Sequence, residues 1–183
     1  MTIEIRLAVE GDIPALRDIY SHHVMHGFGT FDEEPPDLSA FKAKWRGIIT
    51  LGLPWLVACD GGDVLGYAYA STFRPRSGYR YTIEDSVYVR EDMRGRGVGS
   101  VLLEPLLRHC EETGARQVVA VIGDSQNLGS IALHSKFGFV RIGAVKSVGF
   151  KLGRWVDVVM MQRSLNGGDT SLPPIAGAWS TAS

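Results

Sequence analysis

Arg94-Gly95-Arg96-Gly97-Val98-Gly99 lies between a strand-like run, Tyr81 to Val89, and a helix-like run, Val98 to Thr113, and its reading decides the fold. Three glycines at alternate positions leave the backbone bare, so its N–H groups can converge on an anion. The helix that follows adds its positive end to the same point, and two arginines bracket it. Together these features predict a pyrophosphate cradle. A dinucleotide fingerprint, Gly-x-Gly-x-x-Gly, wants its third glycine one residue later and an acidic residue about twenty positions further on. A triphosphate loop needs Gly-Lys-Ser/Thr, which this chain lacks. Neither arginine has a role in those patterns.

The flanking sequence predicts a single α/β domain. Ile3 to Ala8 alternates like a short strand, and Asp12 is placed to cap a helix carrying Ile13, Leu16, Ile19, Tyr20 and His23 on one face. Gly27 to Pro36 reads as a loop, followed by a second amphipathic helix with Leu38, Phe41, Trp45, Ile48 and Ile49 on its apolar side. Leu53 to Cys59 and Val64 to Phe73 form a predicted hairpin about Asp60-Gly61-Gly62-Asp63. Arg74 to Gly78 is a polar loop. Beyond the cradle helix and its stop at Gly114 come a strand, Gln117 to Ile122, and a polar loop, Asp124 to Gly129. A short helix, Ser130 to Phe137, follows. Two last strands, Phe139 to Lys146 and Trp155 to Arg163, flank a loop, Ser147 to Arg154. The order βααβββαβαββ implies a mixed, mostly antiparallel, twisted sheet flanked by helices. The domain is read as 1–165. From Asn166 to Ser183 little can pack, and a flexible tail is expected.

Composition narrows the partners. The chain has 183 residues, 45% of them hydrophobic, enough for one well-packed domain and short for two. Its net charge is −1 and no run of Lys or Arg exceeds two neighbours, which argues against nucleic acid or an anionic membrane surface. No apolar run approaches spanning length, and the N-terminus lacks a signal-peptide core. Cys59 and Cys110 stand singly in apolar contexts, the pattern of reduced core thiols in a cytoplasmic protein. Neither has a Cys or His partner at ligand spacing, so no metal site is expected.

Arg94, Gly97 and Gly99 fit Arg/Gln-x-x-Gly-x-Gly/Ala, the acetyl-CoA motif of the GNAT acetyltransferase superfamily. Asn127-Leu128-Gly129-Ser130-Ile131-Ala132-Leu133-His134, with Phe137-Gly138-Phe139 after it, resembles the superfamily's second signature. One branch is closer still: the phosphinothricin and methionine sulfoximine (sulfone) N-acetyltransferases. The similar stretches are Thr30 to Pro35, Gly66-Tyr67-Ala68, Phe73-Arg74-Pro75, Thr82 to Val89 and Lys151 to Asp157. The resemblance spans about Ile5 to Leu165. It implies the GNAT fold, acetyl-CoA as co-substrate without a metal, a small-molecule amine as acceptor and a homodimer.

Acetyl transfer needs a neutral amine, a polarised thioester carbonyl and a protonated leaving thiolate. Glu84 lies mid-strand on the face opposite Ile83 and Val87, where a partly buried carboxylate can take the ammonium proton. The resemblance implies a Glu base at this position. His134 is an acid, a relay or a structural residue; where many relatives carry Tyr, this branch carries His. The resemblance assigns the pantetheine to backbone groups of Val87, Tyr88 and Val89. It gives the pyrophosphate to Arg94, Gly95, Arg96, Gly97, Val98, Gly99 and Ser100, and the cofactor arm to Asn127, otherwise a simple turn asparagine. Arg74 and Arg76 bracket Pro75 in the loop that contacts the acceptor in this branch, and guanidiniums hold carboxylates bidentately. Arg76 departs from the branch, some of whose members carry a bulky apolar or aromatic residue there. Phe31, Asp85 and Ser86 complete the acceptor-site candidates. Pro105 is a second departure, expected to kink the cradle helix more than a turn beyond the cradle.

The sequence supports an N-acetyltransferase acting on the α-amine of an amino-acid-like acceptor of the phosphinothricin, methionine sulfoximine or methionine sulfone type. Two rivals stand beside it. An acetyltransferase for protein N-termini or polyamines shares the cradle, but polyamines want an acidic cleft, against which Arg74 and Arg76 argue. A non-catalytic acyl-CoA-binding sensor would need neither Glu84 nor His134.

Overall fold

A computed structural model describes residues 2–173. The strands are β1 (Glu4–Leu7), β2 (Trp55–Asp60), β3 (Asp63–Thr72), β4 (Thr82–Val89), β5 (Gln117–Gly123), β6 (Val140–Lys151) and β7 (Arg154–Ser164). The helices are α1 (Ile13–His26), α2 (Leu38–Thr50), α3 (Val98–Glu112) and α4 (Leu128–Lys136). All seven strands join one sheet in the order β1-β2-β3-β4-β5-β7-β6. Only β4 and β5 run parallel, and α3 makes the crossover that a parallel pair requires.

Strand alternation sorts the residues onto two covered faces. On β3 and β4, Tyr67, Tyr69 and Tyr88 turn toward α1 and α2, where Tyr20 and Phe41 meet them and Trp55 of β2 stacks alongside, in stacked and edge-on contacts. The opposite face carries Ala68, Ala70 and Ile83 against the apolar side of α3, on which Leu102, Leu103, Leu106, Leu107 and Cys110 are buried. Each such leucine contributes about 1.5–3 kcal/mol by leaving water. Pro105 lies on the half-exposed side and α3 runs unbroken through it, so the missing N–H does not end the helix.

Four local expectations are corrected. Asp12 does not cap α1; a 3₁₀ turn (Glu10–Asp12) precedes the helix, and the Asp12 carboxylate accepts from Val9 N–H and from both Arg6 Nη atoms at 2.7 and 2.8 Å. The ion pair with Arg6 outbids the cap. Helix α4 starts two residues earlier than Ser130, with Asn127 as its N-cap. The expected loop Ser147 to Arg154 is mostly strand: β6 continues to Lys151 and turns at Leu152-Gly153 (φ +48° and +78°). Its two extra residues bulge at Lys146–Val148 between the pairs Val145–Val158 and Gly149–Val156. Asp157 holds the bulge, accepting from Lys146 Nζ at 2.7 Å, Ser147 N at 2.9 Å and Ser125 Oγ at 3.0 Å. Those donors push its carboxyl down to about 2. Finally, residues 166–171, expected in the flexible tail, are tied to the domain. The buried Arg116 donates to Gly168 O and Ser171 O, and Asn166 Nδ2 donates to Glu111 O and Ala115 O. The rest of that tail, 174–183, lies outside the described residues.

Candidate active site

The parallel pair β4–β5 is short, and this opens the site. It runs only from Thr82–Gln117 to Asp85–Ala120. Beyond that rung Ser86–Val89 pair with β3 alone, and Val121–Gly123 with β7 alone. A groove of about 890 Å³ occupies the wedge, lined by Val87, Tyr88, Val89, Asn127, His134 and the head of α3. Gly95 and Gly97 take φ of +73° and +85°, where a side chain would be strained. A Cβ on Gly99 would stand 3.1 Å from Leu133 Cδ2. The N-terminus of the fifteen-residue α3 thus faces the groove with bare backbone donors, as a pyrophosphate requires.

Most cofactor candidates line this groove: Arg94, Gly95, Gly97, Val98, Gly99 and Ser100 all do. Arg96 is exposed outside it. Arg94 is ion-paired to Glu91 at 3.0 Å, and Ser100 Oγ accepts from Lys136 Nζ at 3.3 Å. The Val89 carbonyl already accepts from His23 Nε2 at 2.9 Å, and burial holds that imidazole below its usual pKa. Asn127 turns its side-chain oxygen to Ser130 N at 3.2 Å.

The two neighbouring acids of β4 face opposite sides. Glu84, with Ser86, points toward α1 and α2. Burial raises the Glu84 carboxyl, Arg74 draws it down, Asp85 raises it and Lys44 lowers it, leaving it above the ordinary range. Asp85 points the other way, to α4. It was expected beside the acceptor; instead its Oδ2 meets His134 Nε2 at 2.9 Å in a buried pair. His134 Nδ1 meets Ser130 O at 2.7 Å. A carbonyl and a carboxylate both only accept, so the ring donates from both nitrogens. Burial opposes that charge, but Asp85 and Ser130 outweigh it and raise the histidine. With both donors engaged, His134 has no free proton aimed into the groove; one of its bonds must open before it can act as an acid.

The loop between α1 and α2 packs against the ends of β5 and β6. A Cβ on Gly123 would lie 1.9 Å from Phe28 O, and one on Gly149 2.0 Å from Phe31 Cε1. These two glycines let the loop lie on the ends of β5 and β6. Tyr20 Oη donates to Asp32 at 2.6 Å, and the buried Lys151 Nζ donates to Thr30 O at 2.8 Å. Phe31 is thereby fixed over the β6–β7 hairpin. Arg74 folds over Phe73, 4.4 Å from its ring centroid, close enough to Glu84 to lower its carboxyl. Pro75 and Arg76 are exposed in the same loop.

The Acetyltransferase (GNAT) family matches residues 16–139. A phosphinothricin N-acetyltransferase from Alcaligenes faecalis is 51% identical over 169 residues, 92% of this chain and 86% of that protein. The chain belongs to the GNAT acetyltransferase family. An L-methionine sulfoximine/L-methionine sulfone acetyltransferase from Pseudomonas aeruginosa is 41% identical, covering 91% and 96% of the two chains. A Sinorhizobium meliloti GNAT phosphinothricin acetyltransferase, solved with acetyl-CoA, superposes with a TM-score of 0.93 at 41% identity over 97% and 96% of the chains. The seven-stranded mixed sheet is therefore the GNAT fold, and this GNAT enzyme uses acetyl-CoA. Among the described residues no group of three or more His, Cys, Asp or Glu is placed to hold a metal.

Sequence reading of this acetyltransferase missed Tyr20, Tyr69, Lys44, Lys151, Gly123 and Gly149. Tyr20 and Tyr69 read as ordinary core positions. Gly123, at a strand end before a polar loop, carried the one signal that could have been used: close backbone approach.

Proposed function

We propose that this acetyltransferase moves the acetyl group of acetyl-CoA to the α-amine of a small amino-acid acceptor of the phosphinothricin, methionine sulfoximine or methionine sulfone type. The observation that carries the reading is Glu84, a carboxylate raised by burial at the rung just before β4 and β5 part, with Arg74 near it. Acetyl-CoA supplies an activated acetyl carbonyl and a thiolate leaving group. Helix α3 and Gly95 to Gly99 bind the pyrophosphate through backbone donors. The unpaired edge of β4 beyond Asp85 offers backbone groups to the pantetheine arm. Arg74 holds the acceptor carboxylate, and Phe31 and Ser86 border the acceptor. Glu84 takes the ammonium proton onto its carboxylate, leaving the lone pair free to attack. Asp85 and His134 act together beneath the groove, anchoring α4 to β4; an acid role for His134 requires its bond to Asp85 or Ser130 to open.

The test is a panel of amines followed by CoA release, including sulfoximine, sulfone and phosphinic amino acids, polyamines and N-terminal peptides. Transfer to the amino-acid set should fall by about a hundredfold or more in Glu84→Gln, the scale of general-base loss. Near-normal turnover would remove Glu84 from the mechanism, and binding of acetyl-CoA without transfer to any amine would favour a sensor.

The reading extends to a cytoplasmic homodimer. Two unbridged buried cysteines, Cys59 and Cys110, suit a reducing compartment. The edge strand β6 and its partner expose Val140, Ile142, Val145, Val148, Phe150 and Trp155, an apolar run that self-association would cover. Sedimentation should give twice the chain mass; a monomer at micromolar concentration would refute this part.

A further inference from the structure

Three cations project from α2, and they divide. Lys42 and Arg46 are both spent on Glu10, Arg46 at 2.8 Å. Lys44 turns instead to the sheet. Its Nζ stands 4.9 Å from the Tyr69 ring centroid and 5.3 Å from that of Tyr20. It forms no ion pair among the described residues, and it is close enough to Glu84 to act on its carboxyl. Tyr69 is the register partner of Ser86, and Ser71 that of Glu84, so Lys44 hangs over the acceptor side of the rung that carries the base. Arg74, in the β3–β4 loop, also acts on that carboxylate from a distance, and it too forms no ion pair among the described residues. Two cations from two different elements, neither in an ion pair among the described residues, therefore act on one base. A single α-carboxylate occupies only one of them.

We infer that Lys44 is a specificity-determining residue that holds a second anionic group on the acceptor side chain, so that amino acids bearing a phosphinate or a second carboxylate are favoured over those with a neutral side chain. The aromatic faces of Tyr20 and Tyr69 position the ammonium without neutralising it, because a ring attracts a cation through its quadrupole and leaves the N–H donors free for a ligand. Arg74 takes the α-carboxylate, the amine lies at Glu84, and the side chain extends toward α2. This inference rests on the proposed amino-acid acceptor.

The experiment compares kcat/KM for phosphinothricin, which carries the second anion, with that for methionine sulfone, which does not, in the wild type, Lys44→Met and Lys44→Arg. The phosphinothricin-to-sulfone ratio should fall about ten- to thirtyfold in Lys44→Met, the loss of one charge-assisted hydrogen bond at a partly open site. Lys44→Arg should restore most of it. Equal losses on both acceptors would show that Lys44 merely packs on the two tyrosines, and would overturn the inference. Wild-type turnover of the sulfone without phosphinothricin would overturn it while leaving the proposed function intact. If neither amino acid is acetylated while another amine is, the proposed function fails and this inference with it.

Discussion

The buried Asp85–His134 pair makes a quantitative prediction. The side chains are 1% and 5% exposed, and the 2.9 Å contact needs a hydrogen on His134 Nε2, because the Asp85 carboxylate only accepts, beside the one that Nδ1 gives to Ser130 O. Asp85→Leu leaves that N–H facing an apolar wall, and breaking a buried pair from one side costs about 3–5 kcal/mol. His134→Leu strands the Asp85 carboxylate, whose Oδ1 already has no hydrogen-bond partner among the described residues, at a similar cost. The double variant removes both polar groups and should be more stable than the two separate losses imply by about 2 kcal/mol or more. The sign with pH follows from the histidine, whose pKa is raised in the folded state. Stability from a raised group is fully present below its unfolded value, about 6.5, and disappears as pH rises through the folded value. Urea unfolding of all four proteins at pH 6 and pH 9 measures both effects. A penalty for Asp85→Leu below about 1 kcal/mol at pH 6, a penalty that does not shrink at pH 9, or strict additivity in the double variant would each refute the reasoning.

Other perturbations give separate readouts. With a raised Glu84 as base, the acidic limb of kcat/KM should lie above the ordinary carboxylate range, and removing the positive charge in Arg74→Gln should move it higher; an unchanged limb would dissociate Arg74 from Glu84. Gly123→Ala puts a methyl group 1.9 Å from Phe28 O, so the loop must shift; KM for the acceptor should rise more than that for acetyl-CoA, with stability falling by about 1–3 kcal/mol. Asp157→Asn should lower the thermal midpoint at pH 6, and the difference should vanish as pH falls from about 4 to 2, since a depressed acid loses its contribution over that interval. Leu106→Ala in the core of α3 should cost about 2–5 kcal/mol in urea unfolding.

Most secondary structure was legible because its signals are local. The hairpin at Asp60–Asp63, the amphipathic stripes of α1 and α2, and the cradle before α3 depend on residues within a few positions of one another. The extension of β6 was not legible. Its polar, glycine-containing stretch from Ser147 reads as a loop, and only the remote Asp157 supplies the donors' partner that keeps a bulged strand paired. Asp12 misled in a related way: a good capping residue was taken by Arg6, a partner on β1.

By itself, the sequence determined the donor side. Alternate glycines, a helix start and the Asn127 to His134 stretch specify a cradle through backbone conformation and dipole, both local properties. Side-chain alternation separates Glu84 and Asp85 onto opposite faces of a strand, although sequence reading counts Asp85 among the acceptor-site candidates. Only the tertiary structure decided what each face meets. Glu84 meets the helices that bring Tyr20 and Lys44, while Asp85 meets α4 and His134. The early end of β4–β5 pairing, which opens the groove, was likewise a matter of long-range register. Period-two alternation fixes a residue's side of the sheet; which helix covers that side depends on packing between segments tens of residues apart.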